Sequence, residues 1–173
     1  MAKILPSARE LKSLFEYVDG GDLRYKPRSI ASFDARFAGR LISQSLTENG
    51  YRRVKVNGRR AYMQRVVWKM FNDTEPEFVD HINGDRNDNR INNLRPCTHS
   101  QNLANGSVRK GTSRFKGVRS SGFGGWAANI KVNKKCTYLG TFTVEADAAR
   151  AYDVAALNSF GSFARTNEMM GLL

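Results

Sequence analysis

The chain has 173 residues, 40% of them hydrophobic, and a net charge of +12 from 28 Lys and Arg against 16 Asp and Glu. That length holds one ordinary domain or two small ones, and that apolar share excludes a wholly disordered chain. The excess positive charge points to a polyanionic partner, nucleic acid being the commonest, over the plainer reading that it aids solubility.

In chain order, residues 9–18 place Leu11, Leu14, Phe15 and Val18 at helical spacing before the Gly20-Gly21 break, which predicts a first helix. Residues 52–56 and 59–63 flank Asn57-Gly58, the favoured two-residue hairpin turn. Met63, Val66, Val67, Met70 and Phe71 then mark one face of an amphipathic helix over 63–72, ended by Glu75-Pro76. A short apolar run, Phe78-Val79, leads into a polar loop over 80–93, and a short helix is expected at 99–104. Residues 105–112 are small, polar and basic, as in a linker, and the Asn105-Gly106-Ser107 sequon inside them is taken as coincidental. Strand-like runs follow at 115–120, 126–132 and 136–142. An alanine-rich helix over 144–158 has Thr143 as its candidate N-cap, acidic Glu145 and Asp147 in its first turn, and Gly161 beyond its end.

The charge is shared by both parts: residues 1–105 and 106–173 each carry net +6, the second in the shorter length. Two cysteines, Cys97 and Cys136, with no CxxC pair, exclude a disulfide framework and a structural zinc finger. No secretory signal is read, and no apolar stretch approaches the ~20 residues needed to span a bilayer. A soluble, cytoplasmic protein is expected.

The stretch VDHINGDRNDNRINNLRPCTHSQNLAN (79–105) carries the most chemistry. Its bland reading is a turn loop, since Asn and Asp bond locally to backbone. A calcium loop fails: Gly84 falls fifth from Asp80 where a sixth-position Gly is needed, and Ile91 stands where a bidentate Glu belongs. With its upstream helix, the stretch resembles the HNH endonuclease family in its phage homing branch, carried by DHINGD, NNLR and Gln101-Asn102. His81 precedes Asn93 by 12 residues, and Asp80 precedes Asn102 by 22. The resemblance implies a ββα-metal motif in which His81 is the general base. Asp80 and Asn102 would hold one divalent cation, Mg2+ or Mn2+, and Asn93 would brace the loop and orient His81. Two departures stand out: Gln64 replaces a His common at the start of the upstream helix, and Asn102 replaces the His of other relatives. His99 reads as solvated or DNA-facing.

The segment 113–168, with KGVR, GGWAANIK, YLGTF, EADAARAYDVAAL and GSFARTN, resembles the APETALA2/ethylene-response-factor DNA-binding domain. That implies a three-stranded sheet on one helix, with the outer face of the sheet in the DNA major groove. Strand periodicity sets Trp126, Ala128, Ile130 and Val132 on one face, expected to bury against Ala148, Ala151, Tyr152 and Ala155. Ala127, Asn129 and Lys131 share the other. Lys116, Arg119, Asn129, Lys131 and Tyr138 match family positions that touch DNA. Plant relatives have further arginines where Ser121 and Cys136 stand, and a Trp near Phe123, so their recognition sequence does not transfer.

The combined expectation is an α+β protein: a nuclease domain with N-terminal extension over 1–104, a linker over 105–112 and a DNA-binding domain over 113–168. It would be a metal-dependent, site-biased endonuclease of homing type, acting as a monomer on double-stranded DNA, in the host cytoplasm if phage-encoded. The alternative is a sequence-specific regulator whose nuclease domain is inactive.

Overall fold

A computed structural model describes residues 5–42, 46–108, 110–122 and 124–173. It divides the chain into two units, Met1–Cys97 and Thr98–Leu173. Among the described residues no helix is long and apolar enough to cross a membrane. The mix of helices with small antiparallel sheets is the expected α+β class.

In the first unit, helix α1 is Ala8–Leu14, and Ser7 Oγ caps it by accepting from Glu10 N at 3.2 Å. The expected first helix therefore stops short of Val18. Phe15–Val18 is strand β1, paired antiparallel with β2 (Asp22–Tyr25) across the Gly20-Gly21 turn. Phe15 buries while Glu16 faces solvent, a period of two that the helical spacing had masked. Helix α2 (Ala31–Phe37) stacks Phe33 and Phe37 on Tyr25.

Strands β3 (Arg53–Val56) and β4 (Arg59–Tyr62) form the expected hairpin, with positive φ at Asn57 and Gly58 as a primed turn requires. Helix α3 is Met63–Asn72 and buries Met63, Val66, Val67 and Met70. Phe71, expected in that stripe, is 47% exposed and edge-packs on Tyr17 instead. The helix ends at Asp73 in the left-handed conformation, ahead of Glu75-Pro76. Strand β5 (Phe78–His81) pairs antiparallel with β6 (Leu94–Cys97), the loop between them closing on a short 3-10 turn, Ile91–Asn93. One core joins Leu11, Phe15, Leu23, Val54, Val66 and Leu94.

Helix α4 (His99–Ala104) is where it was expected, but it belongs to the second unit. Its last carbonyl, on Ala104, accepts from Arg165 N at 3.2 Å, and Ser100 Oγ accepts from Asn133 N at 3.0 Å. The units thus divide between Cys97 and Thr98, ahead of the expected linker at 105–112, in which Arg109 lies outside the described residues.

Strands β7 (Val118–Ser120), β8 (Trp126–Val132) and β9 (Lys135–Phe142) make one sheet in that order. Helix α5 (Glu145–Phe160) packs on it through Tyr152 and Ala156 against Ile130. Its N-cap is Val144, not Thr143, and no side chain caps it; Glu145 and Asp147 face the helix dipole. Trp126, expected in the core, is only partly buried. Gly117 has φ +77°, and a Cβ there would come within 1.9 Å of the Tyr152 ring. Glycine is what lets strand and helix approach at this point.

Candidate functional site

Strand pairing places the first constellation. Asp80 stands opposite Arg95 and His81 opposite Leu94 at the end of the β5–β6 ladder. Asp80 is 5% and His81 3% exposed. Buried charge needs a partner, and Arg95 provides it: its Nε and Nη2 donate to Asp80 Oδ2 at 3.0 and 2.9 Å.

The His81 ring is held by Asn89, whose Oδ1 lies 3.2 Å from Nε2. Asn89 is fully buried, and its Nδ2 donates to Asn87 O at 3.1 Å. That bond turns the amide oxygen toward the imidazole. The neutral ring therefore carries its proton on Nε2, and Nδ1 holds the basic lone pair. Burial pushes the His81 pKa below its ordinary value; the Asn89 bond and the charges of Asp80, Asp85 and Asp88 oppose that shift without overcoming it.

The loop carrying Asn89 is built from its own Asn and Asp side chains. Asp85 N donates to Asn83 Oδ1 at 2.8 Å and Asn87 N to Asp85 Oδ1 at 2.9 Å, two successive Asx turns. Asn93, 9% exposed, closes the loop. Its Oδ1 accepts from Asn83 N at 3.0 Å, and its Nδ2 donates to Asp88 O at 2.8 Å and Asn83 Oδ1 at 3.0 Å. These bonds tie Asn93 to both ends of the loop between Asn83 and Asp88. The bidentate Arg90 guanidinium pulls the Asp88 carboxyl down to about 2.

Segments ahead of the motif support the loop. A Cβ on Gly21 (φ +87°) would sit 2.3 Å from the backbone of Asn89 and Arg90, so the β1–β2 turn lies directly against the loop. Tyr17 Oη accepts from Ile91 N at 3.1 Å. Arg86 donates to Asn49 O at 2.7 Å and covers the Tyr51 ring, which itself lies 6.0 Å from that of His81. Sequence reasoning missed Arg95, Asn89 and Tyr51. Arg95 was discoverable, because antiparallel pairing of DH with LR sets a cation opposite Asp80.

Of the two expected cation ligands, Asp80 is on β5 in the first unit, and half-buried Asn102 is on α4 in the second. Among the described residues no three His, Cys, Asp or Glu side chains gather into a cluster. A carboxylate oxygen at Asp80 and an amide oxygen at Asn102 are each donor types that suit a hard cation such as Mg2+. Cys97 gives no soft alternative, since burial pushes its thiol up to about 11. His99 is exposed at the start of α4. Gln64 is buried, and its Oε1 is without a hydrogen-bond partner among the described residues.

The second constellation lies on the outer face of the β7–β9 sheet. Arg119 is opposite Ala127, Asn129 opposite Tyr138 and Lys131 opposite Cys136, so register puts these side chains on one face. A bulge beside Ala128 and Asn129 leaves Leu139 as the extra residue and turns it to the core. The bulge also brings Tyr138 and Thr141 to the same side, their hydroxyls 2.6 Å apart. Arg119, Lys131 and Tyr138 are exposed, whereas Asn129 is half-buried and its Nδ2 has no hydrogen-bond partner among the described residues. Lys116 does not join this face. Its Nζ donates to Arg165 O at 3.0 Å and to Ala104 O, a clamp on the unit's own backbone. Beneath the sheet, buried Asn167 bonds both backbone groups of Lys116, and it donates through Nδ2 to Asp153 Oδ1 at 2.8 Å.

Residues 61–104 match a family model described as HNH endonuclease. An ethylene-responsive transcription factor of Medicago truncatula is 37% identical over 91 residues, 51% of this chain and 33% of that protein. An AP2/ERF and B3 domain-containing protein of Oryza sativa subsp. japonica is 50% identical over 56 residues, 32% of this chain and 15% of that protein. Ethylene-responsive transcription factor 3 of Nicotiana tabacum is 48% identical over 65 residues, 36% of this chain and 29% of that protein. The chain spans about a third or less of the length of these curated relatives. An HNH endonuclease match and AP2/ERF similarity thus occur in one polypeptide.

Proposed function

We propose that this chain is a metal-dependent DNA endonuclease of homing type, and that its second unit biases where it cuts. The observation that carries the reading is His81, buried beside Asp80, with its ring oriented by Asn89 and its pKa lowered. A lowered pKa keeps imidazole neutral at physiological pH, as a general base requires. In the proposed reaction Nδ1 of His81 takes a proton from water as the oxygen attacks phosphorus. The bond from phosphorus to the 3′ oxygen breaks. Asp80 and Asn102 are the proposed oxygen ligands of one divalent cation, Mg2+ or Mn2+, which supplies stabilisation for the charge developing on the phosphate. Arg95 fixes the Asp80 carboxylate by holding Oδ2. Asn93 keeps the loop, and through it Asn89, in register with His81.

On the second unit Arg119, Asn129, Lys131 and Tyr138 are the proposed duplex contacts, and the outer sheet face is presented to the major groove. Tethering this surface to the cutting unit raises the local concentration of scissile DNA. A monomer on double-stranded DNA, in the cytoplasm of a phage-infected host, completes the proposal.

A second reading has its own support: two of the three curated relatives above are named as transcription factors, and a DNA-binding regulator would need no cutting. Incubating supercoiled plasmid with the full chain and Mg2+ separates the two. Nicked or linear product that disappears in His81→Ala, with binding retained, supports the enzyme. A wild-type chain that binds but leaves plasmid intact with Mg2+ and with Mn2+ supports the regulator.

A further inference from the structure

The β3–β4 hairpin has no part in either constellation, yet its composition is unusual: RRVKV, Asn57-Gly58, RRAY. Its register sorts the charges. Lys55 is opposite Arg60 and Arg53 opposite Tyr62, whereas Val54 is opposite Ala61 and Val56 opposite Arg59. Directly opposed residues share a face. Val54 and Val56 are buried in the core of the first unit, so the other face, with Arg53, Lys55, Arg60 and Tyr62, is turned to solvent.

Those three cations differ from six others in the unit. Arg24, Arg52, Arg65, Lys69, Arg90 and Arg95 all make ion pairs with carboxylates. Among the described residues Arg53, Lys55 and Arg60 pair with none; Arg53 donates only to Tyr62 Oη, at 3.2 Å, and stacks on its ring.. The three also line one wall of an open cleft of about 670 Å³, whose far side is the Thr47–Asn49 turn, with Glu48 its one carboxylate. Three like charges held on a rigid ribbon without counter-charge repel one another, and an anion on that face relieves the repulsion.

We propose that this hairpin face binds the phosphate backbone of DNA, making it a contact surface of the nuclease unit in addition to the C-terminal sheet. A two-stranded ribbon has the dimensions to lie along a duplex groove. Lys and Arg at its outer positions contact phosphate and carry register, not sequence. The Arg53 guanidinium is held against Tyr62 through both its hydroxyl and its ring. The proposal deepens the nuclease reading but is tested by binding alone.

The test measures affinity of the full chain for a random-sequence duplex by fluorescence anisotropy, without divalent metal, across a salt series. The triple variant Arg53→Gln, Lys55→Gln, Arg60→Gln should bind roughly ten- to a hundredfold more weakly at 0.1 M salt. Its slope of log affinity against log salt should be shallower by about 2–3, since each lost phosphate contact removes about 0.9. A charge-matched control, Arg9→Gln, Lys12→Gln, Lys26→Gln, should lose less than about threefold. If the triple fails to fold, Lys55→Glu alone reverses one charge and leaves the Arg53–Tyr62 bond intact; it too should bind more weakly and with a shallower slope. Equal losses in triple and control, or an unchanged slope in the hairpin variants, overturn the proposal. Failure of the wild type to cut DNA leaves it standing and overturns the enzyme reading.

Discussion

The groups expected to do chemistry in the first unit are buried, whereas most of those expected to touch DNA in the second are exposed. Asp80, His81 and Asn93 are each under a tenth exposed; Arg95 on the facing strand holds Asp80, and side-chain bonds within the loop hold His81 and Asn93. Arg119, Lys131 and Tyr138 are open to solvent and owe their placement to strand register and a bulge. Burial disfavours the charged imidazolium, and that is what lowers the His81 pKa. A group that must meet phosphate and base edges has to stay in water. Burial thus separates the expected chemistry from the expected recognition, and each region breaks in its own way.

The largest effect is expected in the buried region. Asn89→Ala removes the bond that sets the His81 tautomer, and cleavage should fall about 10–100-fold, the range for groups that orient a reactive residue. Duplex affinity should stay within about twofold. Equal loss of affinity and cutting would assign Asn89 to folding alone.

In the second unit, Gly117→Ala forces a Cβ against Tyr152 at a positive φ. Destabilisation of at least ~2 kcal/mol is expected, read as a lower thermal midpoint. A midpoint unchanged within error would mean that strand and helix separate without cost. Arg119→Ala should weaken binding by about 1–3 kcal/mol at the preferred site, and Lys131→Ala less, nearly equally on all sequences. A flat effect for Arg119 across sequences would reduce the sheet to a phosphate-binding surface.

The smallest and sharpest test is pH. The proposed base acts in its neutral form, and its folded pKa is lowered from 6.5. Cleavage should therefore be pH-independent on the alkaline side of 6.5. It should fall only as pH drops through the lowered value. An acid limb centred above 6.5 would contradict the buried environment of His81.

Much of this was legible in the residues. Asn57-Gly58 between two short runs marked the hairpin, and the stripe from Met63 to Met70 marked α3. Phe15 to Val18 was misread because a four-residue strand after a helix keeps helical spacing by chance; only pairing with Asp22–Tyr25 decides it. Phe71 lay on the stripe yet found its neighbour in Tyr17, 54 positions earlier in the chain. The same non-locality hid Gly21, Tyr17 and Tyr51 as supports of the loop between β5 and β6. Lys116 matched a contact position in sequence, but its ammonium is spent on the carbonyls of Ala104 and Arg165. Asn167 closed a recognisable motif whose work, linking the Lys116 backbone to Asp153 on the helix, becomes visible only in the fold.

The central claim rests on His81. Single-turnover cleavage of supercoiled plasmid by the full chain with Mg2+, wild type beside His81→Ala, measures it most directly. The account predicts product from wild type, a loss of roughly a hundredfold or more in the variant, and equal plasmid affinity for both. Cleavage that survives His81→Ala unchanged, in protein purified free of other nucleases, would contradict it.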